Sequence, residues 1–296
     1  MTAPTTSLAP PLTRRRRGRW RRHTVPWIFA GPAAALIALF FAYPLAASLV
    51  QSVQLKGGGV GLDHYFRMTG DPSFLQSLVN VGLILLVQVP VMIGLATVLA
   101  YVLNQSWLRF RATLRVAYFL PAVTTLVAYA VVFRVLLRTE GGAVNQILGV
   151  QVDWLNDPFW ARVALIASLT WRWAGYNAII LLAGLQAIGR EQYEAAAIDG
   201  AGPMTTFRRV ILPQLKPVLV FCSITSTIGT LQLFDEPLVL TGGGPGDATL
   251  TPILYLYQVG FKQHDFGYAA AIAWVVVALI GALSWLQFRY FGRERA

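Results

Sequence analysis

The sequence has little charge and almost no cysteine. Of its 296 residues, 12% are charged and 56% are hydrophobic, and the mean hydropathy is +0.56. A soluble domain usually carries about 25% charged residues, so this composition excludes an ordinary soluble enzyme and a disordered protein. The single cysteine, Cys222, excludes an internal disulfide and a multi-cysteine metal site. The composition is that of an integral membrane protein.

Motifs for ATP hydrolysis and for catalysis are also missing. The phosphate loop of an ATPase needs a lysine followed by Ser or Thr, but Lys56, Lys216 and Lys262 are each followed by another residue type. The three histidines lie in separate segments, and no Gly-x-Ser-x-Gly or His-Glu-x-x-His sequence occurs. We therefore predict no catalytic residue, no metal site and no cofactor bound by this chain. If ATP drives its function, a partner ATPase uses the ATP and Mg²⁺.

The sequence does contain six apolar segments. A hydrocarbon core of about 30 Å needs roughly 20 apolar residues of helix. The predicted spans are Trp27–Val50, Leu75–Leu103, Val116–Leu137, Val163–Ile188, Val218–Leu240 and Tyr268–Phe288. The first is longer than the apolar region of a cleaved signal peptide, so we interpret it as a retained anchor. These spans predict an all-α membrane domain over residues 26–292, between a disordered basic tail (1–25) and a short C-terminal tail (293–296).

The basic residues predict how the spans face. A net charge of +11 would also fit a nucleic-acid-binding protein, but here the basic residues lie between apolar runs. If the N-terminus is cytoplasmic, most of the 24 basic residues fall in cytoplasmic segments, as the positive-inside rule requires. The pattern predicts a multi-pass protein of the cell membrane with both termini in the cytoplasm, in contact with lipid and without a nucleic-acid partner.

The most informative segment is the loop at residues 189–213, between predicted spans four and five. Its sequence predicts a short alanine-rich helix over Gln192–Asp199, which Gly200 ends in a left-handed conformation. Pro203 then starts a second helix at its first position. Small residues beside an exposed carboxylate, Glu194, suit docking into a groove on a cytoplasmic partner. The alternative is an amphipathic helix that lies on lipid.

The 189–213 loop contains Glu194-Ala195-Ala196, Asp199-Gly200-Ala201 and Ile211-Leu212-Pro213. With these motifs it resembles the EAA loop of binding-protein-dependent ABC importer permeases. Further matching segments extend the resemblance to about residues 28–292: Gly61–Tyr65, Asp71–Phe74, Arg115–Pro121, Gly142–Asn145, Trp154–Leu155, Leu182–Gln186 and Leu240–Pro245. The segment Thr241–Pro245 resembles the first of the two permeases in carbohydrate and glycerol-phosphate systems. Ile188-Gly189 departs from the family, which usually has Ile-Pro there.

The resemblance implies a type I ABC importer permease fold and a heteromeric sugar importer. A second homologous permease would complete the pathway, two copies of a cytoplasmic ATPase would dock on the EAA loops, and an extracytoplasmic binding protein would deliver a sugar, polyol or glycerol phosphate. In this family the Glu and Gly of the loop couple the permease to the ATPase, so Glu194 and Gly200 inherit that role. Ala195, Ala196 and Asp199 belong to the same docking helix.

Polar residues inside spans suggest a solute pathway, because they are costly in lipid. The candidates are Arg172, Asn177, Gln232, Phe234, Asp235 and Glu236. Arg172 pairs with Asp235 or Glu236 as a structural bridge, or these residues bind a sugar; the resemblance favours a site around Phe234–Glu236. We expect Pro237 to interrupt span five and to leave carbonyls free. An ion-gradient-driven secondary transporter is the alternative function, but no internal repeat typical of one is evident.

Overall fold

The computed structural model describes residues 30–55, 57–105 and 107–291. Within these ranges the chain is helical and contains no β-strand, as predicted. Both predicted tails and Trp27 lie outside the described residues. The part of the first helix up to Val50 forms one unit, and the rest of the described chain, from Gln51 onward, forms a second.

Twelve helices follow one another along the described residues. They are α1 (Ala30–Val53), α2 (Asp63–Thr69), α3 (Pro72–Asn104), α4 (Arg111–Val123), α5 (Leu126–Leu136), α6 (Ala143–Leu148), α7 (Pro158–Gln186), α8 (Arg190–Ile198), α9 (Pro203–Leu231), α10 (Asp235–Leu240), α11 (Pro252–Tyr257) and α12 (Phe266–Phe291). Three π-helical segments accompany them: Ala38–Ala42 within α1, Phe207–Ile211 within α9 and Gln258–Lys262 directly after α11.

Three helices begin at a capping residue that is followed by proline. The carboxylates of Asp71 and Asp157 each accept hydrogen bonds from the amides two and three residues further on, at 2.9 to 3.2 Å. The Thr251 hydroxyl accepts one from the amide of Leu254. Proline suits the next position because its missing N–H has no intrahelical partner to lose. The local sequence therefore fixes where α3, α7 and α11 start.

Helix α7 lies inside the bundle, packed along α3 and α4. Fourteen of its 29 residues are buried, and several of them are small or polar. Gly175 lies so close to the backbone of Tyr118 in α4 that a side chain there would collide with it. A helix covered by protein on several sides does not need a uniformly apolar surface, and α7 does not have one.

Four helices in the described part of the chain are long and apolar enough to cross a membrane. They are α1, α3, α9 and α12, and they overlap predicted spans one, two, five and six. The pair α4 and α5 gives a fifth candidate if it is counted as one broken span. Predicted span four forms a long helix, α7, but α7 is not among the helices whose length and apolar character qualify them as membrane spans.

Predicted span three, Val116–Leu137, is not one straight helix. Helix α4 ends at Val123 and α5 begins at Leu126, with a bend of 96° between them. Two features explain the break. Pro121 has no amide hydrogen to donate within the helix. Thr124 has an extended backbone, and its hydroxyl donates to the carbonyl of Leu120 at 3.0 Å.

Predicted span five, Val218–Leu240, also ends early. Helix α9 stops at Leu231, and Pro237 lies within the separate helix α10. Pro237 cannot donate to the carbonyl of Leu233, four residues before it, but this carbonyl accepts a hydrogen bond from the Thr251 hydroxyl at 2.6 Å. The expected interruption of span five is present, but it lies between Leu231 and Asp235, before Pro237, and the carbonyl that Pro237 leaves unpaired is taken by Thr251.

Candidate functional site

The 189–213 loop folds as the sequence predicts. Helix α8 covers Arg190–Ile198, and Gly200 follows it with a φ of +72°. The amide of Gly200 bonds to the carbonyl of Ala197 at 3.1 Å, and the amide of Ala201 bonds to that of Ala196 at 2.9 Å. This pair of bonds is the Schellman motif, which satisfies the last carbonyls of the helix. Pro203 occupies the first turn of α9, as expected.

Apolar side chains hold one side of this loop against the bundle. Ala196 is buried, and Ile211 packs among core residues at the ends of α3 and α7 such as Leu103 and Leu185. The rings of Phe207 and Tyr101 pack in a T-shaped arrangement, with centroids 5.3 Å apart. A side-chain hydrogen bond between Gln192 and Gln214 joins α8 to α9. The loop is therefore a folded part of the bundle surface.

The predicted coupling residues lie together, but they do not share one environment. Glu194, Ala195, Asp199 and Gly200 are exposed, whereas Ala196 faces the bundle. Ile198, which the sequence analysis did not single out, is 86% exposed. A single exposed apolar side chain is common on protein surfaces; Ile198 is of interest here because it lies beside the predicted coupling residues Glu194 and Ala195.

Gly189 stands where the resembled family usually has proline. Its φ of −60° is a value that proline also adopts. An added Cβ would overlap only the carboxylate of Glu191, the end of a flexible and exposed side chain. The departure from proline therefore preserves the start of α8.

Arg172 lies buried on α7 and contacts three other elements. Its Nη1 is 3.5 Å from Oε1 of Glu236 on α10, which is also buried. Nη2 donates to the carbonyl of Thr124 at 3.4 Å, at the α4–α5 bend. The guanidinium carbon lies 4.6 Å from the centre of the Tyr129 ring, close enough for a cation–π interaction. Of the two carboxylates that the sequence offered, Glu236 is the one within ion-pair distance of Arg172, whereas Nε and Nη1 of Arg172 have no hydrogen-bond partner among the described residues.

Asn177, one turn and a half further along α7, lines a different feature. It is 3% exposed and borders a cavity of about 240 Å³ between α3, α7 and α9. Its Nδ2 donates to the carbonyl of Trp173 at 3.1 Å. Its Oδ1 has no hydrogen-bond partner among the described residues. Trp173 lines the same cavity.

The other predicted pathway residues do not face this cavity. Gln232 and Asp235 are exposed, and the Phe234 ring packs against Tyr257 with centroids 5.2 Å apart. The cavity residues that the sequence did not single out include Gln88 on α3 and Thr230 on α9, whose side chains share a hydrogen bond of 3.0 Å. Gln88 carries the usual signal, an amide inside an apolar span, whereas Thr230 carries none.

The far end of the bundle from the 189–213 loop holds a second organised segment, the 241–251 loop. Asn80 of α3 donates to the carbonyls of Asp247 and Leu250, at 2.6 and 3.0 Å. Arg162 of α7 donates to the carbonyl of Ala248 at 3.0 Å and to Asn80 Oδ1 at 3.2 Å. The glycine-rich turn predicted here is present, and it is held by side chains from two long helices.

Asp71 anchors α11 and α12 beside that loop. Its Oδ2 accepts hydrogen bonds from the hydroxyls of Tyr255 and Tyr268, at 2.5 and 2.7 Å. Burial alone would raise the pKa of Asp71, but these bonds and those from the amides of α3 outweigh it and hold that pKa below its ordinary value. The ionised carboxylate therefore stabilises this end of the bundle.

Comparison with known proteins gives a family for the chain. A family model described as "Binding-protein-dependent transport system inner membrane component" matches residues 72–295. The lactose transport system permease protein LacF of Rhizobium radiobacter is 45% identical over 283 residues, which cover 91% of this chain and 94% of LacF. The arabinooligosaccharides transport system permease protein AraP of Bacillus subtilis (strain 168) is 33% identical over 289 residues, covering 92% of this chain and 90% of AraP.

A solved structure has the same fold. A chain in the crystal structure of a bacterial ABC transporter involved in the import of the acidic polysaccharide alginate aligns with a TM-score of 0.83, at 20% identity over 94% of this chain and 99% of its own length. A chain from a complex of an alginate ABC transporter with an alginate pentasaccharide-bound periplasmic protein aligns with a TM-score of 0.82, at 20% identity over 91% of this chain and 94% of its own length. At this identity the likeness concerns the fold.

Proposed function

We propose a function from one premise: the chain belongs to the family of binding-protein-dependent transport system inner membrane components. It is a permease subunit of an ABC importer, a transport subunit and not an enzyme. We infer that its solute is a sugar, a short sugar oligomer or a related polyol or glycerol phosphate. The similarity to LacF, 45% identical along nearly the whole chain, carries this inference.

The proposed partners are those of an ABC importer. One of two copies of a cytoplasmic ATPase covers the exposed side of α8, where Glu194 and Ala195 lie three to four residues before Ile198 and so beside it on the helix. A second homologous permease completes the pathway, and an extracytoplasmic binding protein supplies the solute. The exposed apolar side chains of α1, such as Phe40 and Phe41, need lipid or that second permease as cover.

Six spans with both termini in the cytoplasm are the proposed topology. Helix α7, the fourth span along the chain, completes the six: its 29 residues extend about 44 Å at 1.5 Å per residue, enough for a bilayer. Because Cys222 is buried, single cysteines at exposed positions report the topology. Ala197→Cys should react with an impermeant maleimide only after cells are opened, and Gln263→Cys should react in intact cells. The reverse pattern would overturn this topology.

The decisive experiment is reconstitution. Proteoliposomes that hold both permeases, the ATPase and internal ATP should take up sugar from the loaded binding protein. Liposomes without the ATPase should not take up sugar even when a proton or sodium gradient is applied. Gradient-driven uptake without the ATPase would instead support the secondary transporter.

The solute pathway runs past Asn177 and Trp173, and the pair Arg172–Glu236 is a structural bridge. Free amide oxygen and an aromatic face are the groups that bind sugar hydroxyls and rings, and the cavity supplies both. Asn177→Leu should lower uptake strongly while the unfolding temperature stays near wild type. Thr225→Val, at the rim of the same cavity, is the matched control and should retain uptake.

The bridge is tested by neutralising its ends separately and together. Arg172→Gln and Glu236→Gln should each destabilise the protein, because each leaves a buried charge unpaired. The double variant should be more stable than either single variant. If the double variant folds as well as wild type but no longer binds sugar, Arg172 and Glu236 belong to the solute site and are not a structural bridge.

A further inference from the structure

A cavity of about 720 Å³ lies between the 189–213 loop and the ends of α3, α4 and α7. It is separate from the Asn177 cavity and lies on the bundle side of α8. Its polar wall comes from five elements, and the side chains used below are Tyr101, Arg111, Gln186, Arg190, Tyr193 and Glu194. Its volume is in the range of pockets for small ligands, about 300–1,000 Å³.

The charges in this wall favour an anion. Arg111 and Arg190 supply two positive charges against the single carboxylate of Glu194. The Nε of Arg111 donates to the carbonyl of Leu108 at 3.1 Å, which fixes the direction of its guanidinium. No residue in the described part of the chain lies within ion-pair distance of Arg190. Both arginines offer forked donors, which match the oxygens of phosphate.

A buried hydroxyl in the same wall has nothing to bond to. The hydroxyl of Tyr193 is inaccessible to solvent, yet no described residue accepts or donates a hydrogen bond to it. Burial, with a smaller contribution from nearby Tyr101, raises the pKa of Tyr193, so the group stays a neutral donor. A buried polar group without a partner costs free energy, and a ligand oxygen would remove that cost once the Tyr193 ring turns its hydroxyl toward the cavity.

We infer that this cavity binds a phosphate group, held by Arg190, Arg111 and the hydroxyl of Tyr193. Gln186 adds an amide for hydroxyls next to the phosphate. In the proposed topology the cavity opens at the cytoplasmic surface, so the phosphate belongs to a soluble cytoplasmic phosphate ester or to the headgroup of an anionic lipid. A ligand that joins α8 to α4 and α7 stabilises the conformation in which the loop lies against the bundle, and so acts on the coupling step.

The test uses the assembled transporter and measures binding. Two probes distinguish the possible sources of the phosphate. Glycerol 3-phosphate represents a soluble ester, and its binding is measured by calorimetry. Phosphatidylglycerol represents an anionic lipid, and native mass spectrometry counts the lipid molecules bound to the complex, with phosphatidylcholine as the control lipid. One of the two phosphate probes should bind the wild type. Arg190→Gln should weaken that binding by about tenfold or more, and Tyr193→Phe by about fivefold. Arg209→Gln, an exposed cation of the same loop outside the cavity, should bind as the wild type does.

Two results would overturn the inference: neither phosphate probe binds, or Arg209→Gln weakens binding as much as Arg190→Gln does. Copurification of each variant with the ATPase shows that the complex has assembled, and Tyr193→Phe removes only one oxygen. The readout is binding and does not use uptake. Phosphate binding can therefore be disproved while the proposed transport function stands, and the transport function can be disproved while phosphate binding stands.

Discussion

The two ends of the bundle are built differently. The 241–251 loop is fixed from within the chain, since Asn80 and Arg162 donate to its carbonyls and Thr251 is fully buried. The 189–213 loop is fixed on one side by apolar packing and leaves its other side open, with Ile198 almost entirely exposed.

This difference indicates which contacts each loop makes within the chain and which surface it leaves open to other molecules. In the 241–251 loop, side chains of the same protein donate to the carbonyls of Asp247, Ala248 and Leu250, so the contacts of this loop come from within the chain. The 189–213 loop keeps an exposed carboxylate, exposed apolar side chains and a large polar cavity. This exposed side is the surface available to the proposed ATPase.

The largest expected effect is at the open loop. Gly200→Trp and Glu194→Lys should abolish ATP-driven uptake while leaving membrane insertion intact. At Gly200 the cause is backbone geometry: its φ is +72°, which side-chain-bearing residues rarely adopt, although nothing lies within 4 Å of an added Cβ. At Glu194 the cause is reversal of the exposed charge.

A neighbouring glycine is the control for Gly200. Gly202 has a φ of −68°, and an added Cβ there also meets nothing within 4 Å. Gly202→Ala should therefore transport nearly as well as wild type. Uptake that is undiminished in both Gly200→Trp and Glu194→Lys would remove the coupling role from this loop.

The next effect is at the closed loop. Asn80→Leu should lower the free energy of unfolding by about 3 kcal/mol, because it leaves two loop carbonyls and one nitrogen of Arg162, Nη2, without their partner. Thermal unfolding in detergent measures this loss. Gln76→Leu, which removes a single bond to Asn80, should cost clearly less. Equal losses would mean that the loop does not depend on Asn80.

A smaller, pH-dependent effect is expected at Asp71. Its pKa is lowered in the folded protein, so its stabilising contribution is present above the ordinary value of 3.8 and is lost as the pH falls through the lowered value. Asp71→Asn keeps a capping oxygen for α3 but cannot ionise. Its unfolding temperature should change less between about pH 5 and pH 3 than that of the wild type. Parallel pH profiles would contradict this role.

The smallest effect on stability is expected at Ile198. Because its side chain is exposed, Ile198→Ala should change the free energy of unfolding by less than about 0.5 kcal/mol, yet less ATPase should copurify with this variant. Leu215→Ala, a buried position on the other side of the loop, should cost about 2–5 kcal/mol. Unchanged ATPase copurification with Ile198→Ala would mean that this face is covered by something else.

Much of the 189–213 loop could be predicted from the sequence, because its signals act over a few residues. A glycine that ends a helix and a proline that begins one depend on bonds between near neighbours, and both lie where expected. The predicted solute set fared differently. It combined Asn177 with Gln232 and Asp235 because all are polar and near span centres, but the break after Leu231 places the last two away from the Asn177 cavity.

The sequence by itself determined that the chain is helical and rich in apolar segments, where α3, α7 and α11 begin, and how α8 ends. Composition and capping chemistry are properties of short stretches. Only the tertiary structure decided that Glu236 pairs with Arg172 and that Thr251 takes the carbonyl Pro237 leaves unpaired. Each of these contacts joins residues that are far apart in the chain. No local sequence pattern specifies which of several possible partners lies nearby in the folded protein.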